Sequence, residues 1–66
     1  MQIEINGKEL DVSRGITVQN LIDELKLNVK STAVAVNRSI VSKSAYAGFL
    51  LNENDKIDLV SIAPGG

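Results

Sequence analysis

An α+β domain, with about four to five strands packed on a single amphipathic helix, is the fold class that these 66 residues predict. Three observations carry it. The first twelve residues alternate polar and apolar around an Asn-Gly pair, the signature of a tight hairpin. One stretch only, Val18 to Leu25, repeats its apolar residues at the helical i, i+3, i+4, i+7 spacing. The remaining apolar runs, Ala33 to Val36, Ile40-Val41 and Lys56 to Ile62, are short, β-branched and bounded by turn residues.

In Met1 to Val12, Asn6-Gly7 tolerates positive φ at both central positions of a type I′ turn. A loop of those two residues sets Ile3 opposite Leu10 and Met1 opposite Val12. Gln2, Glu4, Glu9 and Asp11 then share the wet face. Glu4 opposite Glu9 is a mildly unfavourable like-charge pair, which reads as two solvated glutamates, as a bulge in the register, or as an acidic face for a basic partner. Ser13-Arg14-Gly15-Ile16 is a loop, and Thr17 is placed to cap the helix with its side-chain oxygen. Val18, Leu21, Ile22 and Leu25 form the buried stripe of that helix, with Gln19, Asn20, Asp23, Glu24 and Lys26 outside it. Asn28 is the expected terminator.

Ala33-Val34-Ala35-Val36 lies between Ser31-Thr32 and Asn37-Arg38, and reads as a central strand buried on both faces. Ile40-Val41 is a short neighbouring strand. From Ser42 to Leu51 the apolar residues Tyr46, Phe49, Leu50 and Leu51 have no clean period, so the segment is an irregular or short helical turn whose aromatics plug the end of the core. Asn52-Glu53-Asn54-Asp55 is a turn by composition; it lacks the spacing and glycine of a calcium loop, and no metal site is expected. In the last strand, Lys56 to Ile62, Ile57 and Leu59 share one face while Val60 and Ile62 share the other. With Ala33 or Ala35 beside them, Val60 and Ile62 are candidate docking surface; the alternative is that loops cover them or that they are isolated exposed apolars.

Composition excludes several classes of function. Seven basic and eight acidic residues are scattered along the chain for a formal charge of −1, so nucleic-acid binding by phosphate neutralisation is not expected. Cysteine and histidine are absent, which removes disulfides, ordinary zinc sites, and Ser-His or Cys-His pairs. No nucleophile and base can be assembled, so an enzyme in its own right is the least favoured reading. No apolar run spans a bilayer, and Met1 to Ile5 carries a charge where a signal peptide needs an apolar block. A cytoplasmic protein with no membrane partner is the expectation. The Asn37-Arg38-Ser39 glycosylation triplet is a chance match on this reading.

The end of the sequence, Ile62-Ala63-Pro64-Gly65-Gly66, offers chemistry of another kind. Two glycines leave a carboxylate free of side-chain bulk on a backbone that threads a narrow channel. Such a carboxylate is inert until adenylated; the acyl phosphate anhydride is then open to a sulfur or nitrogen nucleophile. Pro64 fixes its own φ and pushes Ala63 toward an extended shape. The plain alternative is a frayed terminus without a role.

The order of hairpin, helix, strand, short strand, irregular segment and final strand, ending in Gly65-Gly66, resembles the β-grasp (ubiquitin-like) fold. At this length it is most similar to the ThiS family, the sulfur carriers of thiamine biosynthesis. The matching pieces are Met1-Gln2-Ile3, Thr17-Val18 with Leu21-Ile22, Val36-Asn37-Arg38-Ser39-Ile40-Val41, Asn54-Asp55-Lys56-Ile57 and Gly65-Gly66, spread over the whole chain. The resemblance implies a mixed sheet in a single domain, residues 1–66, with 63–66 as a flexible, extended tail. It implies a carrier that binds no cofactor itself. A ThiF-like adenylyltransferase would use ATP and Mg²⁺ on the Gly66 carboxylate, a persulfide donor would convert it to a thiocarboxylate, and a ThiG-like thiazole synthase would take the sulfur. Ala63, Pro64 and Gly65 would be presented to these partners. Family members often have a small residue where Pro64 stands and Gly-Asp where Asn54-Asp55 stands; the proline stiffens the tail. Other readings are a carrier for another product such as the molybdopterin dithiolene, a ubiquitin-like modifier, and a β-grasp interaction module with an inert tail.

Overall fold

Asn6 and Gly7 take φ angles of 49° and 85°, closing the first hairpin with the two-residue mirror-image turn expected of that dipeptide. The strands it joins, β1 (Gln2–Ile5) and β2 (Lys8–Asp11), set Ile3 opposite Leu10 and Glu4 opposite Glu9 without a bulge. The computed structural model describes residues 1–62. After the hairpin come helix α1 (Val18–Glu24), β3 (Thr32–Val36), β4 (Ser39–Val41) and β5 (Lys56–Ser61), with short 3-10 turns at Val29–Ser31 and Lys43–Gly48. The strands form one five-stranded sheet in the order β2-β1-β5-β3-β4. β1 and β5 run parallel at its centre and the other neighbours are antiparallel, so the sheet is mixed.

α1 begins where Thr17 caps it. The Asn20 N–H donates to Thr17 Oγ1 at 3.1 Å and the Thr17 N–H donates to Asn20 Oδ1 at 3.1 Å, a reciprocal box worth about 1 kcal/mol. Val18, Leu21 and Ile22 are wholly buried against the sheet, and each contributes roughly 1.5–3 kcal/mol of apolar burial. The helix stops earlier than its periodicity predicts. Leu25 is the C-cap and is 38% exposed rather than a member of the buried stripe. Lys26 follows with a φ of 57°; its N–H donates to Asp23 O at 3.1 Å and the Leu27 N–H donates to Ile22 O at 3.0 Å. These two bonds are the Schellman closure of a helix end. Lysine fills the left-handed position where glycine or asparagine is usual, which is why Asn28 drew the expectation instead. Asn28 caps the Val29–Ser31 turn, accepting the Lys30 N–H at 2.9 Å.

β3 has a neighbour on each side and is not an edge, as expected, but it is not buried on both faces. Thr32, Val34 and Val36 are buried on the helix side, while Ala33 and Ala35 are half-buried on the other. Among the described residues the sheet carries no second layer there. The Lys43–Gly48 turn plugs the far end of the core with Tyr46, 1% exposed, whose hydroxyl donates to Thr32 O at 3.1 Å. Thr32 lies beyond the last β3–β4 register pair, Val34 with Val41, so the tyrosine supplies a donor that the short strand β4 no longer reaches.

Candidate functional site

β5 carries whatever follows it, so the geometry around its end defines the candidate site. Ile57 and Leu59 turn toward α1, the first buried and the second half-buried, and their alternates Val60 and Ile62 face outward at 58% and 46% exposure. Val60 stands opposite Ala33 and Asp58 opposite Ala35 on β3, and Ile40 of β4 stands opposite Ala35. Cross-strand neighbours on one face lie within contact reach. Val60, Ile62, Ala33, Ala35 and Ile40 therefore form one apolar patch on the uncovered face of the sheet, ending where β5 ends. Ile40, 86% exposed, is its most open member. The pairing of Ala35 with both Ile40 and Asp58 draws it in; a two-residue apolar run in sequence does not say which face each residue takes.

Charge borders the patch on the β1 side. Glu4 pairs with Lys56 and Glu9 with Glu4, and a shallow depression is lined by Glu4, Asn37, Arg38, Lys56 and Asp58. The exposed face is thus half apolar and half charged, the make-up of a protein-docking surface with a polar rim. The two glutamates that face each other, Glu4 and Glu9, belong to the charged half.

No reaction centre is assembled elsewhere in the described residues. No group of three or more Asp, Glu, His or Cys is placed to hold a metal ion. In the turn before β5, Asp55 spends its carboxylate on structure: Oδ2 accepts the Asn52 N–H at 2.7 Å and Oδ1 accepts Asn37 Nδ2 at 3.0 Å. Tyr46 is a packing residue whose hydroxyl is committed to Thr32. The expected tail positions Ala63, Pro64, Gly65 and Gly66 lie outside the described residues. Among the described residues no helix is long and apolar enough to cross a membrane.

Comparison with known proteins gives this geometry a family. The crystal structure of a thiamine biosynthesis protein (ThiS) from Geobacter metallireducens superposes with a TM-score of 0.87 over 100% of both chains, at 22% identity, which establishes the β-grasp fold. The Escherichia coli (strain K12) sulfur carrier protein ThiS is 30% identical over 66 residues, covering 100% of each chain. A thiazole synthase of Paramagnetospirillum magneticum is 39% identical over all 66 residues; the chain spans only 20% of that protein's length. The sequence profile of the ThiS family matches residues 2–66, the pieces Thr17-Val18, Val36 to Val41 and Gly65-Gly66 included, and the chain belongs to the ThiS family.

Proposed function

We propose that the chain is a sulfur carrier for thiazole formation in thiamine biosynthesis, a protein co-substrate rather than a catalyst. The observation that carries the reading is the end-to-end match to the Escherichia coli carrier, together with a family match that runs through Gly66. In this reading the reactive group is the carboxylate of Gly66. A ThiF-like adenylyltransferase, with ATP and Mg²⁺, transfers an adenylyl group to it and releases pyrophosphate. The terminal sulfur of a persulfide donor attacks the acyl adenylate and expels AMP, leaving an acyl disulfide. A second thiol then attacks the donor's sulfur, forms a disulfide with it and releases the thiocarboxylate, from which a ThiG-like thiazole synthase takes the sulfur. Activation is needed because a carboxylate resists nucleophiles until it has a leaving group. Glycine at 66 leaves the carbonyl uncrowded, and Ala63, Pro64 and Gly65 span the distance from β5 to the partner's active site.

The rest of the molecule has a holding role. The patch of Val60, Ile62 and Ile40 docks on the partners, and the charged rim sets the orientation of approach. That a thiazole synthase includes a segment 39% identical to this whole chain supports thiazole synthase as one of the partners. The carrier works in the cytoplasm in this reading.

Incubation with the adenylyltransferase, ATP and Mg²⁺ tests the first step. Intact-mass measurement is expected to show one adenylyl group on the full chain and none on a chain lacking Gly66. Equal modification of both chains, or none of either by an enzyme active on its own carrier, refutes the reading and leaves an interaction module with an inert tail.

A further inference from the structure

β5 is longer than the strand beside it, and a side chain makes up the difference. On the β3 flank the backbone pairing runs the full length: the Asn37 N–H donates to Lys56 O at 2.7 Å, and the Ile62 N–H donates to Ser31 O at 2.7 Å. Hydrogen-bonded positions alternate in an antiparallel ladder, so Ile57, Leu59 and Ser61 direct their N–H and C=O groups to the β1 flank. There β1 gives out. Its last register partner is Ile5 with Ile57, the Asn6 N–H donates to Ile57 O at 3.0 Å, and the chain then turns away at Gly7.

The Asn6 side chain takes over at that point. The Leu59 N–H donates to Asn6 Oδ1 at 2.9 Å, and Asn6 Nδ2 donates to Leu59 O at 3.2 Å. The carboxamide does for Leu59 what one more peptide of β1 would do. A primary amide is the side chain that offers a donor and an acceptor side by side, and asparagine also tolerates the φ of 49° that the turn demands. Other support on this flank is thin: Leu59 is half-buried and Ser61 exposed, and an open groove of about 340 Å³ lies between Leu59, Ile5, Leu25 and Leu27.

We propose that Asn6 is a positioning residue for the carrier tail: its amide clamp fixes the course of β5 from Leu59 onward, and so the root from which residues 63–66 leave the body. The inference rests on the carrier reading. Docking through the outer face brings the body to the adenylyltransferase, and the clamp determines how often the docked body points its carboxylate at ATP. Loosening the clamp lowers kcat for adenylation and leaves KM for the carrier unchanged.

Three variants test it. Asn6→Gly keeps the positive φ and removes both contacts. Asn6→Asp keeps the acceptor for the Leu59 N–H and sets a carboxylate oxygen against the Leu59 carbonyl. Asn54→Gly is the control, an asparagine at φ 68° whose side chain makes no hydrogen bond among the described residues. Amide hydrogen exchange and steady-state adenylation are measured on each full chain. In Asn6→Gly the Leu59 amide is expected to exchange about fivefold faster, the equivalent of one hydrogen bond of ~1 kcal/mol, with Ile57 unchanged. Its kcat falls by about the same factor at constant KM. Asn6→Asp retains the Leu59 amide protection and loses part of kcat; Asn54→Gly matches the wild type in both. An unchanged Leu59 amide in Asn6→Gly, an unchanged kcat, or a loss confined to KM overturns the proposal. A wild-type chain that is never adenylated overturns the carrier reading and the tail role with it, and the exchange data still report whether the clamp exists.

Discussion

Replacing Lys26 with glycine removes an exposed lysine from the helix end, and the structure predicts that the protein becomes more stable. Lys26 sits at φ 57°, the left-handed position that closes α1, where an L-residue carries a penalty of roughly 1–2 kcal/mol. Glycine escapes that penalty and returns about 0.4–1 kcal/mol of it through the greater freedom of the unfolded chain. The Lys26 ammonium takes part in no ion pair among the described residues. Its attraction to the helix C-terminus is worth roughly 0.3–1 kcal/mol at low ionic strength and is screened by salt. In high salt the net gain is about 0.8 kcal/mol. For 66 residues the unfolding entropy is about 0.14 kcal/mol/K, so Tm rises by about 6 °C. The assay is thermal unfolding by circular dichroism in high salt. Gly15→Ala, at φ 85° with open space where its Cβ would point, serves as the opposite-sign partner: strain with no clash, and a Tm lowered by several degrees. A Lys26→Gly chain no more stable than the wild type refutes the assigned helix end, and with it the exposure of Leu25 that follows from an early stop.

Other outcomes follow from the same structure. Tyr46→Phe removes the donor to Thr32 O and leaves that carbonyl unpaired; urea unfolding is expected to show a loss of about 1 kcal/mol as a lower midpoint at constant slope. Val60→Asp and Ile40→Asp change residues at 58% and 86% exposure, so stability moves by no more than about 0.5 kcal/mol. Titration with the adenylyltransferase is expected to show each variant binding roughly tenfold more weakly, about 1.4 kcal/mol; wild-type affinity in both shows that the outer face is not the docking surface.

Most of the fold was legible because local signals and the global pattern agree. Asn6-Gly7 fixed a register that buries Ile3 and sets Leu10 opposite it at 37% exposure, and Thr17 marked the helix start with a side chain that has few other uses there. The helix end was not legible, because Lys26 adopts a backbone conformation that its chemistry does not advertise, held by the two hydrogen bonds that close the helix. The outward turn of Val60 and Ile62 came from strand alternation alone. Ile40 did not, since its place in the patch depends on pairing with a strand read as buried on both faces. Asn6 was recognised as a turn residue, but its bonds to Leu59 join positions 53 residues apart, and only the parallel pairing of first and last strands brings them together.

The central claim is that sulfur travels on the Gly66 carboxyl group. Its most direct measurement follows isotopically labelled sulfur from the persulfide donor, through the intact chain, into the thiazole made by the synthase. The account predicts label on Gly66 in place of one carboxylate oxygen, its loss from the chain as labelled thiazole forms, and no transfer through a chain lacking Gly66. Labelled thiazole formed equally well with that shortened chain, or label that never leaves the full one, would contradict it.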